Sequence, residues 1–185
     1  ATVSTLISTS TNPAGVAISP LGDYALYTVY GVNRVFRIDL NSLTSTLLAG
    51  SGAAEERDGT GAAAAFNGPV DIRISPDGLY ALVGDNVGSS IRKIIISTGV
   101  VTSLTGNSIG YAEGTGSSIL LNLPLGLDIS MDGTFALVTE YNGNRVRRLT
   151  LTGGASTSTL IAGQITSSCG SVSYTHLRAH ETVLD

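Results

Sequence analysis

The chain has 185 residues, 42% of them hydrophobic and 13% charged, with 23 glycines and a formal net charge of −4. One domain is the default at this length, and the negative charge argues against bulk attraction to nucleic acid or an anionic membrane. Apolar runs such as Ile94-Ile95-Ile96 are too short to span a bilayer, and the single cysteine, Cys169, can form no internal disulfide.

In chain order, residues 1–11 open without a signal peptide and inside a pattern: Val3-Ser4-Thr5-Leu6-Ile7 matches Ser45-Thr46-Leu47-Leu48 and Ser158-Thr159-Leu160-Ile161. This segment is expected to be the outer strand of a preceding unit. Residues 12–66 hold strands expected near 15–19, 24–30, 34–40 and 44–49. A long connection follows, with Glu55-Glu56-Arg57-Asp58-Gly59-Thr60-Gly61 and then Ala62 to Ala65, where one short helical turn is expected because alanine has the best helix propensity. Residues 67–122 repeat the arrangement, with Tyr111-Ala112-Glu113-Gly114-Thr115-Gly116 as the matching connection. Residues 123–171 give a third copy, with strands near 126–130, 135–141, 145–151 and 156–162, then the start of another connection.

The copies align closely. Pro13, Pro69 and Pro124 open them at spacings of 56 and 55 residues; Gly22, Gly78 and Gly133 close the first turn; Tyr24-Ala25-Leu26, Tyr80-Ala81-Leu82 and Phe135-Ala136-Leu137 follow. Self-similarity at such a period marks a repeat architecture. Within each first run, Val16-Ile18, Ile72-Ile74 and Leu127-Ile129 alternate with polar or small residues, and Pro76-Asp77-Gly78 is a strong turn. Alternation bounded by turn residues is a strand signal. Each copy therefore reads as four antiparallel strands.

The series Pro-x-Gly-apolar-x-apolar, Asp-Gly, an aromatic strand, then Asn-Arg-Val or Ser-Ile-Arg-Lys and Thr-x-x-Leu-x-Gly resembles the NHL repeat. Pro69, Asp77, Gly78, Tyr80, Asp85, Ile91, Arg92, Lys93 and Gly106 carry the likeness, which covers residues 12–163. The resemblance implies an all-β fold, a β-propeller fragment of about three four-stranded antiparallel blades plus one N-terminal strand from a preceding blade. Propellers are closed by radial repetition of such blades. An incomplete ring is expected to leave apolar residues such as Ile72, Ile74 and Ile129 near uncovered faces, and such faces favour association.

The resemblance places the first strand beside the central channel. There Asp71, Arg73 and Asp128 form the polar face, with Arg73 and Asp128 at equivalent positions and Ala17 in copy one. They are candidates for holding a ligand or ion, or for an inter-blade ion pair, which is the favoured reading because arginine–carboxylate pairing is geometrically easy. Asp85 and Glu140 end the second strands, with Val29 in copy one. They could face a ligand, but the favoured role is bonding to backbone amides of the following turn at Asn86 or Asn142-Gly143-Asn144. Arg34, Arg37, Arg92, Lys93, Arg145, Arg147 and Arg148 put seven of the nine basic residues before residue 172 on the third strands. A single-stranded RNA face would want stacking aromatics among these cations. Only Phe36 interleaves, so a solvated face paired with nearby acids is expected instead.

Asp58-Gly-Thr-Gly and Glu113-Gly-Thr-Gly supply too few carboxylates for a calcium loop and lack the Gly-Lys-Ser/Thr of a phosphate loop, so a solvated turn is expected there. From Val172 the repeat pattern stops; residues 172–182 resemble one reading frame of a common sequencing-library adapter, so residues 172–185 read as a non-biological tail. Both histidines, His176 and His180, lie in it. No catalytic residue, metal or cofactor is assigned. The reading is a module that binds a protein or small ligand. The alternatives are part of a metal-dependent six-bladed propeller enzyme, lactonase- or lyase-like, using Asp71, Asp128, Asp85 and Glu140, and an RNA-binding domain.

Overall fold

The computed structural model describes residues 12–152 and 155–163. The first sheet comprises β1 (Pro13–Ile18), β2 (Tyr24–Val29), β3 (Arg34–Asp39) and β4 (Ser45–Ala49). The second comprises the two-residue β5 (Gly59–Thr60) with β6 (Pro69–Ile74), β7 (Tyr80–Asp85), β8 (Ser90–Ile95) and β9 (Val100–Ser103). The third comprises β10 (Pro124–Ile129), β11 (Phe135–Glu140), β12 (Arg145–Thr150) and β13 (Ser158–Gly163). Each repeat thus forms a four-stranded antiparallel meander, and β5 extends the second sheet at its outer edge by pairing with β9. The expected strand at residues 3–7 and the tail at 172–185 lie outside the described residues.

One local device builds the first hairpin of every blade. The carbonyls of Ser19, Ser75 and Ser130 accept from the amides of Gly22, Gly78 and Gly133 at 2.8–2.9 Å. Those glycines have φ of +73°, +72° and +69°, a region that side-chain-bearing residues rarely adopt. Each serine hydroxyl also donates to an aspartate of its turn, Asp23, Asp77 or Asp132, at 2.6 Å.

The first strands begin two residues earlier than expected in the first and third copies. Pro13 and Pro124 pair with Val29 and Glu140, as Pro69 pairs with Asp85, and the register shifts just after each proline. The extra residue breaks the two-residue alternation, so the pattern becomes legible only after the bulge. The alanine run differs as well. A short 3₁₀ turn covers Gly61–Ala63, while Ala64 and Ala65 are buried under the blade junction.

The sheets stack side by side. β6 packs against both β1 and β10, so the three first strands converge along one inner edge. One apolar cluster joins Tyr24, Leu26 and Val35 of the first sheet to Ile72, Val83 and Ile94 of the second, with Phe66 of the connection between them. A second joins Leu82 and Ile91 to Val138 and Leu149, with Ile119 and Leu121 of the next connection. The expectation for uncovered apolar residues needs correction. Ile72 is fully buried in the first junction and Ile74 packs against it, while Ile129 packs against the second. Val16 and Ile18, their counterparts in copy one, are 61% and 65% exposed. A preceding blade covers this face in copies two and three.

Candidate functional site

The inner-edge candidates come together. The guanidinium of Arg73 donates to Asp71 Oδ1 at 2.8 Å, and its Nε lies 3.7 Å from Asp128 Oδ1 on the neighbouring blade. Asp71 also accepts from the Leu127 amide through its other oxygen, at 2.9 Å, tying β6 to β10. The expected Arg73–Asp128 pair therefore exists, but it is the looser of Arg73's two ion pairs. The Asp128 side chain is 81% exposed and that of Arg73 37%. This row is a half-anchored set of charges beside the inner edge.

Asp85 and Glu140 lie elsewhere and do something else. The Asp85 carboxylate accepts from the Asn67 amide through both oxygens, at 2.8 and 2.9 Å, and Glu140 accepts from the Asn122 amide at 3.0 Å. Both acids thus reach back to the connection entering their blade rather than forward to the turn that follows. The Asn67 and Asn122 amides, two residues before Pro69 and Pro124, are donors largely withdrawn from water that need an acceptor, and these carboxylates supply it.

Arginines complete each arrangement. Arg147 donates to Glu140 at 3.0 Å, to the Ala112 and Leu120 carbonyls at 2.9 and 3.3 Å, and to the Ser158 hydroxyl at 2.7 Å, and its Nε pairs with Glu113 at 3.0 Å. Arg92 donates to the Ala65 carbonyl at 3.1 Å and to Asp58 at 2.7 Å, with Asp85 3.9 Å away. The Asp58 and Glu113 turns are therefore half-exposed acids clipped to buried arginines, not freely solvated turns. The sequence carries a signal for this pairing. Copy one has Val29 at the Asp85 position and Phe36 at the Arg92 position, so the acid and its cation vanish together. In their place Tyr27 stacks on Phe36, ring centroids 5.3 Å apart.

The third strands accordingly present no single solvated cationic face. Arg92, Arg145 and Arg147 are buried. Arg37, Lys93 and Arg148 each cap a ring of the adjacent second strand, over Tyr24, Tyr80 and Phe135 at 4.1, 4.2 and 4.3 Å from the centroid. Arg145 lies over Tyr111 at 4.0 Å, and Arg34 donates to the Ser51 carbonyl. Register explains the split, since successive residues of a strand face opposite sides.

Burial shapes the acids' titration. It pushes Asp85 up to about 7, against the pull of the Asn67 amide and Arg92. Burial raises Glu56 and Glu140 as well, the latter opposed first by Arg147. Glu56 accepts from the Ser90 hydroxyl and faces Asp85. Asp85 and Glu140 sit in separate junctions, each beside its own arginine, and do not converge with Asp71 and Asp128. Among the described residues, no group of three or more His, Cys, Asp or Glu side chains could hold a metal ion.

Three sheets radiating from adjacent inner strands and fastened at their junctions define a β-propeller architecture, and comparison with solved structures agrees. An auxiliary nutrient binding protein from Bacteroides ovatus superposes with a TM-score of 0.66 at 18% identity, over 83% of this chain and 38% of that one. A putative 6-phosphogluconolactonase from Bacteroides uniformis does so with a TM-score of 0.53 at 13% identity, over 80% of this chain and 39% of the other. At these identities the likeness concerns the fold alone. Among curated proteins, SUPPRESSOR OF QUENCHING 1, chloroplastic, of Arabidopsis thaliana is 25% identical over 148 residues, which span 75% of this chain but 14% of that protein. No protein-family model matches the chain.

Proposed function

We propose that this chain is an NHL-type repeat propeller acting as a binding module, with the inner-edge row of Asp71, Arg73 and Asp128 as its contact surface. The observation that carries this reading is the contrast in exposure. Asp85, Arg92, Glu140 and Arg147 are buried in junction contacts, whereas the Asp128 side chain is 81% exposed and only loosely paired. Two carboxylates and one guanidinium leave the row net negative, which suits a ligand or peptide carrying a cationic group. The nutrient-binding neighbour fits a ligand-holding role, and the repeats in this reading are residues 12–66, 67–122 and 123–171.

A peptide array probed with labelled chain tests the proposal. Basic peptides should be retained. Asp128→Asn should weaken that retention, and Arg73→Ala, which removes the row's one cation and frees Asp128, should strengthen it, with the thermal melt unchanged in both. Equal retention by the parent and both variants would show that the row is not the contact surface.

A further inference from the structure

The second junction contains a cavity of about 290 Å³ lined by Tyr111, Glu113, Arg145, Arg147, Ser158, Thr159 and Leu160. Its volume is near the lower end for small-molecule pockets, about 300 Å³. Two substitutions between the copies mark the place. Where the first junction has Glu56 bonded to the Ser90 hydroxyl, the second has Tyr111 and Arg145, stacked at 4.0 Å. The Tyr111 ring is held on two sides, by the Arg145 guanidinium and by Asn122, whose Nδ2 donates to its hydroxyl at 2.6 Å.

We propose that this cavity binds a neutral polyol the size of one pyranose ring. Tyr111 and Leu160 supply an apolar wall for the C–H face of such a ring. Leu160 is paired directly across from Arg147, and residues so paired project to the same side of a sheet. Ser158 and Glu113 supply polar atoms in fixed positions, since Glu113 is held by both Arg147 Nε and the Ser158 hydroxyl. A carboxylate oxygen accepts more than one bond, so Glu113 can take a ligand hydroxyl without releasing Arg147. Neutrality follows from charge balance. Among the described residues, Glu113 on the wall and Glu140 behind Arg147 offset Arg145 and Arg147, so neither a cation nor an anion gains net attraction. This site is separate from the inner-edge row, and the two readings fail independently.

Saturation-transfer NMR on the full chain with D-glucose, D-galactose, D-mannose and N-acetyl-D-glucosamine tests it. At least one sugar should receive transfer. Tyr111→Ala should abolish the signal, as should Leu160→Trp, which fills the cavity without removing any polar contact. Arg73→Ala should leave the signal intact. Should Tyr111→Ala fail to fold by circular dichroism, Leu160→Trp decides alone. The proposal is overturned if no sugar of the four receives transfer, if transfer survives Leu160→Trp, or if D-glucuronate binds and its neutral counterparts do not.

Discussion

The two blade junctions use one plan with different chemistry. In both, a carboxylate at the end of a second strand holds the amide entering the blade, and a buried arginine on the third strand clips the preceding connection. The first junction gathers Glu56, Asp58 and Asp85 around Arg92 alone, with Asp85 3.9 Å from the guanidinium. The second sets Glu113 and Glu140 against Arg147 and Arg145, with a direct bond of 3.0 Å between Glu140 and Arg147. A repeat thus conserves the mechanical task, fastening connection to blade, while the local charge balance varies. Among the described residues, the first junction holds an excess acid and the second is balanced.

This difference ranks the substitutions. Arg147→Ala has the largest expected effect, because it strips Glu140, Glu113 and two carbonyls of one shared partner. Breaking a buried pair from one side costs about 3–5 kcal/mol, read as a fall in urea unfolding free energy. Arg92→Ala should cost less, since Asp85 can take up a proton when its cation is lost. Blade one suggests a sharper test. The double replacement Asp85→Val with Arg92→Phe copies its Val29 and Phe36, and apolar replacement of a buried ion pair is often neutral or stabilising. The double variant should fall short of the parent only by the orphaned Asn67 amide, about 1–3 kcal/mol, and should remain more stable than Arg92→Ala. If it is no more stable than the single variant, the pair is doing more than fastening.

The excess acid also sets a pH signature. Asp85 has its folded pKa raised by burial from 3.8 to about 7. Between those values the folded state holds a proton that the unfolded state has released, so its contribution to stability is full below pH 3.8 and is lost as pH rises through about 7. Asp132 has the opposite sign. Bonds from Ser130 and Thr134 lower it to about 2, so its contribution is present above its unfolded pKa of 3.8 and is lost as pH falls through about 2. Unfolding free energies measured across this range should decline from mildly acidic to neutral pH in the parent. Asp85→Asn should flatten that decline, and an unchanged slope would remove Asp85 as its source.

The blades were legible in the sequence because every level agreed: period, alternation, and the Asp-Gly turn with its positive-φ glycine. Strand starts were less so, because the bulge after each opening proline interrupts the alternation. The fate of the arginines was hidden for a different reason. Arg92 and Lys93 are chemically alike and adjacent, yet one points into a junction and the other over Tyr80. Only the joint loss of acid and cation at Val29 and Phe36 hinted at which residue was which. Tyr111 was missed as a cavity wall because it lies in a connection, and its contact with Arg145 bridges 34 residues of chain.

The smallest expected effect separates cation–π contact from simple packing. Lys93 sits 4.2 Å from the Tyr80 ring centroid at a partly exposed position, where such contacts contribute about 0.5–1 kcal/mol. Lys93→Ala should lower stability by that amount. Lys93→Met keeps the unbranched stem over the ring and removes only the charge, so the difference between the two variants isolates the electrostatic share. Repeating both changes in a Tyr80→Leu background closes the cycle. The Lys93→Met cost should disappear there, because leucine offers no negative ring face. A cost that persists assigns Lys93 to Asp77, the acid across the first hairpin turn whose pKa it helps to lower.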